Sequence, residues 1–247
     1  MTPVDPLLLA TARVSTFLGT QALTNASGFF FERDDRLYLV TSRHVVIDEA
    51  AKHFPDRLEI ELHTDPVNLT RSTGFSVLLY ADKKAVWHQG RDDASEIDVA
   101  VLELDRSKLP PTSVFRAFTP AHLLTSFEGV SVGQSLLVSG FPLGFHDAVH
   151  HLPVVRHAVI ASSYGIRFQG QGFFLTDART HRGTSGAPVV MRDLARVGKG
   201  ALPWRLLGVH SARMDMGDRD LVLDESLGLN CAWYADILLT LTEPPSR

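Results

Sequence analysis

The sequence predicts an all-β protein: two packed β-barrels, joined by a proline-rich segment and closed by a short C-terminal α-helix. Three observations carry this. Short apolar runs recur along the 247 residues, separated by polar or Gly/Pro punctuation, which is the pattern of a β-sandwich or barrel. Helix signals are few. The stretch RSKLPPTSVFRAFTPAH, residues 106–122, is rich in proline and separates two clusters of strand-like runs.

The elements follow in order. Residues 6–18 read as a short helix or an irregular lead-in to a strand. SGFFFERDDRLYLVTS reads as a hairpin: 29–31 lead in, ERDDR turns and 37–40 lead out. LEIELHT alternates over 58–62 as a half-buried strand does. FSVLLYA, AVWH and IDVAVLEL complete the first cluster. In TPAHLLTSF, a threonine cap and a proline at the first turn predict a short helix at about 119–126. The second cluster is QSLLVSGFP, VVRHAVIASS, GFFLTD, APVVM and RLLGVHS. The closing CAWYADILLTLTE is apolar at Trp233, Ile237, Leu238 and Leu241, a helical spacing, and EPP ends it.

Composition narrows the functional classes. Hydrophobic content of 45% and charged content of 21% are those of a globular chain, not a disordered one. The net charge of −4, with Lys and Arg dispersed, gives no electrostatic case for nucleic acid. No run approaches the roughly 18 apolar residues of a membrane helix, so no membrane partner is expected. The single cysteine, Cys231, allows no intramolecular disulfide and reads as a small core residue. The opening MTPVDPLLLATAR has an acid where a signal peptide has basic residues, and its apolar run 7–10 is too short for a signal core. The expected location is cytoplasmic.

One stretch raises a chemical question. HRGTSGAPVV, residues 181–190, sets Ser185 between glycines. Such a serine either decorates a turn or is a nucleophile, and a nucleophile needs a base and an orienting acid. Among 11 histidines, His44 stands out because it falls where the strand RLYLVTS ends. A hydrogen-bonded histidine at a strand terminus is the plainer alternative. Asp98 lies inside the apolar run IDVAVLEL, where an acid is costly unless paired; a solvent-facing strand acid, as Glu103 is expected to be, is the alternative. Asp92, Asp93 and Glu96 sit in the polar loop RDDASE and read as solvated. Gly183, lacking a side chain, is free to turn its N–H inward, and the N–H of Ser185 is a second donor for an oxyanion.

Taken together, TSRHVV, IDVAVLEL and HRGTSGAPVV resemble the His, Asp and Ser segments of the chymotrypsin-like (trypsin-like) serine proteases, in that family's chain order. The disulfide-free bacterial branch, with the high-temperature-requirement proteases and the glutamyl endopeptidases, is more similar still. ASGFFFERDDRLYLVTSRHVV resembles its glycine hairpin, and VSGFPLGF its glycine-proline turn. LLGVHSAR and LGLNCAWYADILLTL also match in kind, so the resemblance spans about residues 27–240. It implies a serine endopeptidase acting through an acyl-enzyme, with His44 as general base, Asp98 as its orienter and Ser185 as nucleophile. Gly183 and Ser185 would form the oxyanion hole. It implies two antiparallel six-stranded barrels with the triad in the cleft between them. In this reading residues 1–247 form a single peptidase domain, with an N-terminal barrel at about 15–108, a linker at about 109–128, and a C-terminal barrel and closing helix at about 129–243. The substrate is a protein or peptide, and neither cofactor nor metal is needed.

The chain departs from the pattern in places. Thr184 stands where secreted digestive members carry an aspartate, so activation by a cut N-terminus is not expected. Ala187 replaces a common glycine at small cost. Regulation by an appended peptide-binding domain is not expected either, and a regulatory protein partner is a candidate in its place. For specificity, Arg179, His210, Ser211 and Arg213 are expected near the pocket for the residue before the cut. His210 lies in a GVHS segment resembling one with which glutamyl endopeptidases bind an acidic side chain. Against this, Asp215, Asp218, Asp220 and Asp224 favour a basic residue, and a satisfied core histidine favours neither. His146, His150, His151 and His157 fall among Pro142, Gly144 and Pro153, without an acid or cysteine cluster, and read as loop residues rather than metal ligands. Two further classes stay open: a protease-fold binding or signalling module without turnover, and an enzyme held inactive until a partner arrives.

Overall fold

The computed structural model describes residues 4–92, 96–196, 202–213 and 228–244. Helix α1 (Pro6–Ala10) is capped by the Asp5 side chain, which accepts the Leu7 N–H, and has proline at its first position. It leads directly into β1 (Thr11–Leu18), so the expected short helix covers only the start of 6–18 and the rest is itself strand rather than a lead-in to one. β2 (Gln21–Arg33) and β3 (Arg36–Thr41) form the expected hairpin. Its two turn residues, Asp34 and Asp35, have φ of 51° and 61°, the left-handed pair that matches strand twist in a two-residue turn. Helix α2 (Arg43–Val46) follows at once, then β4 (Arg57–His63), β5 (Ser72–Leu78), β6 (Tyr80–Ala81), β7 (Lys84–Ala85), β8 (Trp87–Arg91) and β9 (Glu96–Leu104). The second half carries β10 (Ser135–Gly140), β11 (Val154–Ile160), β12 (Phe173–Asp177), β13 (Pro188–Arg192), β14 (Trp204–Arg213) and β15 (Leu229–Tyr234), and ends in α3 (Ile237–Leu241).

The second half is the expected closed six-stranded barrel, in the order β10-β11-β12-β15-β14-β13. The first half differs from a six-stranded ring. It is a seven-stranded antiparallel sheet in the order β5-β4-β1-β2-β3-β9-β8. After β5 the chain is held by Leu79, whose N–H reaches Asp56 C=O and whose C=O accepts the Val86 N–H. It then makes the small β6–β7 hairpin and returns as the extra edge strand β8 beside β9.

Two helix expectations shrink. Residues 119–126 contribute only a 3₁₀ turn at Pro120–His122, after which Leu123 bridges to Leu206. At the C-terminus, Cys231 and Trp233 belong to β15, paired with both β12 and β14, and only Ile237–Leu241 is helical. Sheet pairing overrides the 3.6-residue apolar spacing there. α3 closes onto the first sheet, where the Leu241 C=O meets the His88 ring at 2.8 Å.

The largest core lies between the halves. Phe29, Phe31, Val40, Val99 and Phe118 from the first half and linker pack with Val190, Leu206, Val209, Trp233 and Leu238 from the second. Cys231 is in the same core as expected, and burial pushes its thiol up to about 11. Phe118 is fully buried, meets Phe29 edge-on at 5.6 Å, and exchanges backbone hydrogen bonds with Phe30 and Glu32. Phe118→Ala should therefore lower the unfolding free energy by about 3–5 kcal/mol, read from urea midpoints at unchanged m. A loss within the range of a surface substitution would remove Phe118 from this role.

Candidate active site

His44 lies one turn beyond the end of β3. Ser42 is extended, and α2 then begins, which turns the imidazole back toward β9. Asp98 on β9 meets it twice. Oδ1 accepts the His44 backbone N–H at 2.8 Å, and Oδ2 lies 2.7 Å from His44 Nδ1. The Ser211 hydroxyl from β14 donates to the same Oδ2. One carboxylate thus fixes the backbone and the ring of His44 and ties β9 to the second half. Burial alone would lower the His44 pKa. The hydrogen bond and charge of Asp98 outweigh it, with Asp48 adding, and the net shift is upward. With Nδ1–H bound to Asp98, the neutral ring leaves Nε2 as the acceptor.

The segment 181–187 is shaped by two glycines. Gly183 has φ +91° and Gly186 φ +84°. A Cβ on Gly183 would lie 2.5 Å from Phe141 O, and one on Gly186 2.2 Å from Ser27 O. Arg182 C=O accepts the Leu143 N–H at 2.6 Å, and Thr184 C=O accepts the Ala187 N–H at 2.9 Å. In a trans peptide the N–H points opposite to the C=O. The N–H groups of Gly183 and Ser185 therefore face away from these contacts, and neither has a protein acceptor among the described residues. His44, Gly183 and Ser185 line one cavity of about 560 Å³, together with Asn25, Leu143 and Arg182. The Ser185 hydroxyl donates to Ser211 C=O at 3.1 Å, and no bond joins it to His44.

The remaining expected site residues separate. Ser211 is buried and is a partner of Asp98 rather than a wall of the cavity. His210 is fully buried behind the pair, with its Nδ1 unpartnered, and burial followed by repulsion from His44 holds its pKa down at about 4. Arg179 is exposed and does not line the cavity. The backbone of Arg213 pairs with Asn230; its side chain, and Asp215, Asp218, Asp220 and Asp224, lie outside the described residues. Thr184 is buried and carries no ion pair. Among the loop histidines, His150 pairs with Asp147 and His151 with Glu61, both at 2.8 Å. Sequence reading missed Ser27, Leu143 and Arg182. NASGFFF and VSGFPLGF contain the first two, but as short runs of small residues they carry no sign of contact with the 182–185 segment.

A trypsin-like peptidase domain model matches residues 26–198, more than half of the chain. The chain belongs to the trypsin-like peptidase domain family. No curated protein matches the sequence. Among solved structures, the fold is similar to the scabies mite inactivated protease paralogue S-I1, at TM-score 0.56 and 18% identity, covering 96% of this chain and 95% of that one. It is also similar to the serine endoprotease from Yersinia pestis, at TM-score 0.54 and 16% identity, covering 95% of this chain. The match spans only 62% of the Yersinia pestis chain.

Two titrations follow from the geometry. Because the His44 pKa is raised in the folded state, its pairing with Asp98 stabilises the fold fully below the unfolded pKa of about 6.5 and loses effect as pH rises through the folded value. Asp98→Asn should lower the ring pKa, seen by NMR, and should destabilise the protein more at a pH of about 5.5 than at about 8.5. An unchanged ring titration in folded Asp98→Asn would contradict the assignment. His210 has the opposite sign: its pKa is depressed, so stability falls as pH drops from about 6.5 toward 4. His210→Gln should flatten that acid limb in denaturation curves, and an unaltered limb would show that other groups set it.

Proposed function

We propose that the protein is a serine endopeptidase that hydrolyses peptide bonds through an acyl-enzyme on Ser185. The observation that carries this reading is the shared cavity. It is lined by His44, whose ring meets the Asp98 carboxylate, and by Gly183 and Ser185, whose backbone N–H groups have no acceptor among the described residues. In the reaction, rotation about the Ser185 Cα–Cβ bond takes Oγ from Ser211 C=O to His44 Nε2. His44 accepts the hydroxyl proton as Oγ attacks the substrate carbonyl carbon, and the carbonyl oxygen becomes an oxyanion held by the N–H groups of Gly183 and Ser185. Asp98 keeps the ring in the right tautomer and stabilises the imidazolium. His44 then gives its proton to the leaving amine as the C–N bond breaks. Water repeats the sequence on the ester and returns Ser185.

The residue before the cut would be read near His210, the histidine of the GVHS segment on β14, whose Nδ1 has no hydrogen-bond partner. We take an acidic residue there as the preference to test. A peptide-library profile led by Asp and Glu supports it, and one led by Lys/Arg or large apolar residues overturns it.

A second reading has a specific observation in its favour. Ser185 Oγ is bonded to Ser211 C=O rather than to His44, and one fold neighbour is described as an inactivated protease paralogue. A binding module, or an enzyme that a partner protein switches on, would keep that resting hydroxyl. The two readings separate on reaction with a biotinylated fluorophosphonate, which modifies only an activated serine. The peptidase reading expects labelling at Ser185 by mass spectrometry, absent in Ser185→Ala and His44→Ala, with either change lowering peptide turnover by roughly 10⁴–10⁶-fold. Absence of labelling in the isolated wild-type protein would favour the module or the partner-switched enzyme.

A further inference from the structure

Ser27 sits on β2, in the first sheet, and is fully buried. Every polar group it presents to the second half is engaged. Its N–H donates to Ser185 C=O at 2.9 Å. Its hydroxyl donates to Gly183 C=O at 2.7 Å and accepts the Phe141 N–H at 2.9 Å. Its own C=O accepts the Thr41 hydroxyl at 2.8 Å, which anchors it to β3.

These bonds converge on one peptide donor. The two peptide planes flanking Gly183 are each held by their carbonyl. The plane before it is held by Leu143 N–H on Arg182 C=O, and the plane after it by the Ser27 hydroxyl on Gly183 C=O. The segment that supplies Leu143 is itself joined to Ser27 through Phe141 N–H. A single hydroxyl therefore links both chain segments that aim the Gly183 N–H. Glycine needs such a clamp, because it occupies either sign of φ with little penalty and would otherwise let the plane turn over. Resting on the peptidase reading, we propose that Ser27 is a positioning residue: from the first sheet, its hydroxyl holds the peptide after Gly183 and, through Phe141, the segment that holds the peptide before it, so that the Gly183 N–H faces the cavity. Docking of the two halves and completion of the oxyanion site are then one event.

A second position makes the proposal testable without removing the hydroxyl. A Cβ built on Gly140 would lie 2.7 Å from Ser27 Oγ and 3.2 Å from Ala187 Cβ. Gly140→Ala should push the hydroxyl out of line without removing it.

The experiment compares Ser27→Ala, Gly140→Ala and the double variant with wild type. It measures melting temperature, active-site concentration by fluorophosphonate titration, kcat and KM on a peptide amide, and affinity for a peptide aldehyde. The aldehyde forms a tetrahedral adduct that draws on the oxyanion donors, whereas KM for a slow amide reports ground-state binding. Per active molecule, Ser27→Ala should lower kcat by about 10- to 100-fold and weaken the aldehyde by a similar factor, with KM changed by less than about threefold. Gly140→Ala should act in the same direction, and the double variant should be no worse than Ser27→Ala within about twofold, since both act through one hydroxyl. A merely structural serine would instead reduce melting temperature and active fraction and leave kcat per active molecule and aldehyde affinity unchanged, which overturns the proposal. A loss confined to KM overturns it as well. If Ser27→Ala does not fold, Gly140→Ala decides by the same readouts. An inactive wild type would mark failure of the peptidase reading, whereas an active wild type with unaffected variants would mark failure of the Ser27 assignment alone.

Discussion

A carboxylate largely withdrawn from water must be met by donors, and Asp98, half-buried, draws its donors from both halves of the chain. The backbone and ring of His44 come from the segment after β3, and the Ser211 hydroxyl comes from β14. Unmet, such a group would be costly. Met in this way, it fixes the direction of the imidazole, raises the affinity of that ring for a proton, and registers one sheet against the other. The rest of the site is arranged around this pair.

The seam between the halves carries the same logic in apolar and polar form. Phenylalanines of β2 and the linker pack against valines, leucines and Trp233 of the barrel. Within that seam the backbone at 183–186 approaches β2 and β3 so closely that a side chain on Gly186 would strike Ser27 and Thr41. The close approach lets Ser27 reach the carbonyls of Gly183 and Ser185. Packing density and the geometry of the candidate site are therefore coupled, and a substitution that loosens the seam should act on the 183–185 backbone at a distance.

Much of this was legible in the sequence, for identifiable reasons. His44 falls where a strand pattern stops, Asp98 interrupts an apolar run, and Ser185 sits among glycines; each is a local anomaly. The Asp34–Asp35 turn was legible because two short polar residues separate two clear strands. Other features were hidden. β15 is buried on both faces, so it lacks the alternation that marks a half-buried strand, and its apolar spacing runs on into α3 as if it were one helix. Edge strand β8 was legible as the short run AVWH, but its place as a seventh strand beside β9 was not, because a short, mostly exposed strand carries no sign of its partner. The bond from Ser211 to Asp98 spans 113 residues of sequence, and Ser27 looks like an ordinary turn serine until the second half is folded against it.

The most direct measurement is a crystal structure of the wild-type protein reacted with a peptide boronic acid. The account predicts a tetrahedral boronate bonded to Ser185 Oγ, which has left Ser211 C=O. One boronate oxygen should lie about 2.7–3.1 Å from both the Gly183 and Ser185 N–H groups. An unmodified Ser185, or an adduct whose oxygens turn away from those two donors, would contradict it.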